Sequence, residues 1–78
     1  MINKFQQIEK LFTELIKIQK VKTPGAVRGI EVSSEKWSKA LNKLVSGKKL
    51  TKTELVLTKV SEYKIEELKR YIDSVSKL

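Results

Sequence analysis

Six lysines, at positions 36, 39, 43, 48, 49 and 52, stand in a twenty-residue stretch whose only acid is Glu35. An ammonium group can neutralise a phosphate or a carboxylate, and this density is the footprint expected of a polyanion-binding surface. The whole chain carries a formal charge of +8 with a pI near 9.8. The excess is uneven. Residues 1–32 hold twice as many cations as acids, and residues 53–78 hold equal numbers. Arg28, one of two arginines among many lysines, stands beside Gly29. Its planar fork can grip phosphate or guanine in a way lysine cannot.

Other chemistry is poorly provided for. There is no histidine and no cysteine, which removes the commonest general base, the commonest metal ligand and every thiolate or disulfide. The acids lack the spacing of a calcium loop. The GAVRG segment lacks the G-x-x-x-x-G-K-[ST] spacing of a phosphate-cradling loop. No catalytic residue, metal or cofactor is expected, and the chain does not read as an enzyme. No apolar run approaches the ~20 residues that span a bilayer. The N-terminal MINKFQQIEK has no uninterrupted apolar core of the kind a signal peptide needs. The expectation is a cytoplasmic protein without a membrane partner.

The elements that must position these residues are helical. Seventy-eight residues make one domain with a modest core. Apolar residues at 5, 8, 12 and 15 predict a first helix over about 4–20, with Asn3 and Gln6 as a capping pair. Thr23-Pro24 is a helix-start signal, threonine as N-cap and proline at the first helical position. Gly25 and Gly29 lower helix propensity immediately after it, so 24–30 is a short helix or, alternatively, an ordered loop. Trp37, Ala40, Leu41, Leu44 and Val45 predict a helix over about 34–46, stopped at Ser46-Gly47. Thr51 and Glu54 have capping-box spacing and open a further helix. Ile65, Leu68, Ile72 and Val75 predict a last helix over about 62–76, separate from its predecessor or continuous with it. No strand pattern appears. The fold class is all-α, a small bundle of four or five short helices.

The segment KTPGAVRGIEVSSEKWSKAL, followed by SGKKLTKTELVLTKVSEYKI, resembles the helix-turn-helix of phage repressor and Cro-type proteins. The resemblance covers about residues 21–65, with Glu31 where that family's turn usually carries glycine. It implies a first helix over Thr23–Ile30, a turn over Glu31–Ser33 and a recognition helix over Ser34–Ser46. Val27, Ile30, Val32, Trp37 and Ala40 would then face inward. Ser33, Ser34, Glu35, Ser38 and Lys39 would face the major groove of duplex DNA. Lys22, Arg28, Lys43, Lys48 and Lys49 would lie within reach of phosphate, and Thr23 at the start of the first helix is also expected at the DNA. Ser34, Ser38 and Lys39 form the expected reading face.

The function implied is that of a small DNA-binding transcriptional regulator of a phage or mobile element. A homodimer would form through Tyr71, Ile72, Val75 and Leu78 on the C-terminal helix. The alternative is a helical-bundle protein-interaction factor that binds no DNA: an inhibitor, an accessory factor or a bacteriocin-immunity-like protein. Trp37 is expected in the core rather than stacked on a base.

Overall fold

Helix α1 runs over Ile2–Lys22, α2 over Val27–Ser46, α3 over Lys52–Lys59 and α4 over Ser61–Ser76. They belong to a computed structural model that describes residues 2–78, and no strand occurs among the described residues. The protein is a small all-α bundle.

Helix α1 is the spine. Phe5, Ile8, Phe12, Leu15 and Gln19 recur every three or four residues and are almost completely buried, because this spacing returns a side chain to the same face of a 3.6-residue helix. Helices α2 and α4 pack on either side of that stripe. Trp37, Ala40 and Leu41 come from α2, and Ile65, Leu68 and Val75 from α4. The Phe5 and Trp37 rings meet at 5.1 Å between centroids, tilted by 57°. Tilted pairs of this kind add about 0.5–1.5 kcal/mol beyond their buried area.

The long helices α1 and α2 form a hairpin. Helix α4 runs parallel to α1: Lys4 pairs with Glu62 at their beginnings, and the Lys22 ammonium donates to the carbonyls of Ser76 and Leu78 at their ends. This parallel course requires a connector, and α3 is that connector. It joins the end of α2 to the start of α4 where α1 begins. The molecule is elongated, 40 × 20 × 17 Å.

The helix ends obey local signals unevenly. Gly47 closes α2 in a left-handed conformation, φ 71°, with Gly47 N–H donating to Leu44 O and Lys48 N–H to Lys43 O. A side chain at that φ is strained, which is why glycine terminates the helix there. Thr51 and Glu54 make the expected reciprocal box: Thr51 Oγ1 accepts from Glu54 N–H, and Glu54 Oε1 accepts from Thr51 N–H. A single residue, Val60 with φ −105° and ψ 10°, separates α3 from α4. Thr58 Oγ1 donates to Leu55 O, and Ser61 Oγ donates to Thr58 O, taking up carbonyls where α3 ends.

Two expected start signals do not act as such. Helix α1 already includes Asn3, so Asn3 is not its cap. Thr23 does precede a helical turn with Pro24 in its first position, but that turn is a three-residue 3₁₀ segment over Pro24–Ala26, and the Thr23 side chain makes no capping bond. Thr23 Oγ1 and Gln19 Oε1 are buried and lack a hydrogen-bond partner among the described residues. Gln19 keeps one bond, Nε2 donating to the Tyr71 hydroxyl at 3.3 Å.

Candidate nucleic-acid interface

The sequence places a turn at Glu31–Ser33, and the structure has none there. Val27–Ser46 is one uninterrupted α-helix. A helix-turn-helix needs a break between its two helices so that the second projects into the groove. Here the 3₁₀ turn at Pro24–Ala26 takes up the change of direction, ahead of Ile30 in the chain. Gly29 and Glu31 lie within α2, and nothing within 4 Å would meet a side chain at residue 29. Glycine at 29 thus lowers helix propensity without breaking the helix, because the apolar stripe that follows it, from Ile30 through Trp37 to Leu44, is packed on the core.

The continuous helix redistributes the expected contact residues. Ile30, Trp37, Leu41 and Leu44 define its inner face. Ser34 and Leu41 are seven residues apart, close to two full turns, and so share a side of the helix. Ser33 and Ser34 are accordingly half-buried beside the core stripe, and Ser38 is half-buried at its margin. Of the expected reading face Ser34, Ser38 and Lys39, only Lys39 is exposed; the two serines are half-buried. Val32, expected inside, is 42% exposed and faces outward.

The outward side of α2 carries Arg28, Glu35, Lys36 and Lys39, all exposed, with Lys43 at its far end. From Arg28 to Lys43 is about 22 Å along a helix. Lys48 and Lys49 continue the basic face in the loop after Gly47, and Lys52 opens α3; all three are exposed. Arg28, Lys36, Lys39, Lys48, Lys49 and Lys52 are in no ion pair among the described residues. Two further cations are committed elsewhere. Lys43 donates to Glu54 Oε1 at 2.7 Å, and Lys22 holds the C-terminal carbonyls at 2.9 and 2.7 Å. Thr23 is half-buried at the α1–α2 junction. Lys36 and Lys52 join the face without being among the contact residues expected from the sequence. Helical spacing identifies Lys36, which comes four residues after Val32 and three before Lys39; Lys52 is signalled only by its place after the cap Thr51.

The one strongly perturbed acid lies at the edge of this face. The Lys43 ammonium, and then the Thr51 backbone N–H, hold the Glu54 carboxyl far below its ordinary 4.5, at about 2. Glu54 is therefore a permanent anion at neutral pH, already neutralised by Lys43, and does not repel an incoming polyanion as a free carboxylate would. Lys36, Lys39, Thr51, Thr53, Glu54 and Leu57 line a shallow groove between α2 and α3.

The C-terminal surface also differs from expectation. Val75 is buried, and Ile72 packs against the same core. Of the four expected dimer residues, only Tyr71 and Leu78 are exposed, because α4 turns its apolar stripe onto α1. Tyr63, at the start of α4, is 70% exposed. Among the described residues no helix is long and apolar enough to cross a membrane, and no cluster of acids could hold a metal ion. In comparison with known proteins, no family model, no curated protein and no solved structure matches this chain.

Proposed function

We propose that the protein binds duplex DNA through phosphate, along the outward side of α2 and the loop after it, without reading base sequence. The observation that carries this is the row of unpaired cations Arg28, Lys36, Lys39, Lys48 and Lys49 on one face. Over about 22 Å a duplex presents on the order of a dozen phosphates, ample to engage these charges. Base sequence is not read, since the serines expected to approach base edges lie half-buried beside the core. Glu35 stands within the row and reduces its field by one charge. A dimer is not needed, since α4 has its apolar face on its own core.

The test is binding to a random-sequence duplex over a salt series. If about four phosphates are engaged, log K against log salt falls with a slope near −3.6. Lys36→Ala and Lys39→Ala each flatten that slope by about one unit and weaken binding to all sequences alike. Absence of binding at ~50 mM salt, where phosphate contacts are strong, would sink the proposal.

A further inference from the structure

Helix α3 is the part of the fold that burial explains least. It contributes no buried residue. Leu55 is 49% exposed, Val56 55% and Val60, at its end, 39%. Tyr63 lies on the first turn of α4. An apolar side chain alone on a surface is ordinary; four exposed ones between residues 55 and 63 of one short stretch, Leu55, Val56, Val60 and Tyr63, are not.

The charges around them identify what could cover them. Lys48, Lys49, Lys52 and Lys59 precede or interleave these residues along the chain, all exposed and in no ion pair among the described residues. Three of the acids are in ion pairs, the half-buried Glu54 with Lys43 and the exposed Glu62 and Glu67 with Lys4 and Lys64. Glu66 remains on the α4 flank. Two copies brought together through this end would oppose lysine to lysine, which disfavours a symmetric dimer. An anionic surface that also takes up apolar side chains is complementary to it.

We propose that the α3 end of the protein docks on anionic lipid bilayers. Leu55, Val56, Val60 and Tyr63 enter the interface, and Lys48, Lys49, Lys52 and Lys59 meet the headgroups. The helix lies on the membrane and does not cross it. Lys52 and Lys59 stand between Leu55 and Val56 around the helix, and their long stems let the ammonium groups reach out to phosphate while the neighbouring apolar groups insert. The capping box fixes α3 as a helix beforehand, so docking does not have to fold it.

The test is sedimentation with vesicles of phosphatidylcholine, with and without an equal part of phosphatidylglycerol. Wild type is expected to pellet with the mixed vesicles only, and less so as salt rises. The Leu55→Ser/Val56→Ser double variant should bind about tenfold more weakly, since it removes apolar groups and no charge. Both positions are exposed, so the variant is expected to fold, which circular dichroism checks. It should also keep the salt-dependent DNA binding of wild type, whereas Lys39→Ala should weaken DNA binding and spare vesicle binding. Failure of one activity is thereby separated from failure of the other. Equal vesicle binding by wild type and the double variant would overturn the proposal, as would no binding to mixed vesicles. Self-association of wild type, lost in the double variant and without vesicle binding, would assign this end to protein contact instead.

Discussion

Helices α1 and α3 are held by different physics. In α1 five side chains at helical spacing are almost wholly out of water, and neighbours pack on both sides of the stripe. In α3 nothing is buried, yet among the described residues it is the helix with a complete capping box, and it has an ion pair to α2. Burial of one large apolar side chain is worth about 1.5–3 kcal/mol, whereas a cap is worth about 1 kcal/mol. Helix α1 is therefore part of what unfolds only globally, and α3 is the segment that can open locally at least cost. Its exposed face is correspondingly free for binding.

The largest effect expected from this contrast lies in the α1 stripe. Phe12→Ala should lower stability by roughly 3–5 kcal/mol, and Trp37→Ala on the opposing helix by a similar amount. Leu55→Ala on α3 should stay within ~0.5 kcal/mol, as surface substitutions do. Urea unfolding measures all three. Comparable losses at residues 12 and 55 would mean that α3 is as much a core helix as α1.

A smaller effect is expected at the cap. Thr51→Ala should cost about 1 kcal/mol. The loss should appear first as faster amide exchange over Lys52–Lys59, before any change in α1. Uniform acceleration across both helices would show that α3 does not open on its own.

A further effect is titrational. The Glu54 carboxyl has a pKa of about 2 in the folded protein against an ordinary 4.5. The unfolded chain thus binds its proton first as pH falls. The stabilising contribution of Glu54 is complete above about pH 4.5 and is lost as pH falls towards 2. Glu54→Gln lacks this titration, so its stability deficit against wild type should shrink across that interval. A deficit independent of pH would place the contribution in packing rather than in the Lys43 pair. Carboxyl NMR of Glu54 gives the pKa directly.

Much of the architecture is legible from spacing. The stripes of α1 and α4, the core position of Trp37, the glycine stop at residue 47 and the Thr51–Glu54 box all depend on residues within a few positions of one another. Local geometry decides these features almost alone. The basic segment is legible for the same reason, since charge along a helix is a property of the chain. The candidate site is harder to read. The proline and two glycines suggest a break near residue 30, and no local rule says whether packing will override them.

The sequence by itself determined four amphipathic segments, the glycine stop at residue 47, the Thr51–Glu54 box and a cationic middle. Tertiary structure decided the rest. Packing carried α2 straight through Gly29 and Glu31, because the apolar stripe from Ile30 to Leu44 against a long neighbour outweighs a glycine penalty of about 1 kcal/mol. That one continuity turned Ser33 and Ser34 towards the core and left the lysines outside. It also placed the end of α2 beside the beginning of α1, where α3 must cross to start α4. Crossing there, α3 has too little neighbouring surface to bury its own apolar side chains, and they remain at the tip among the lysines.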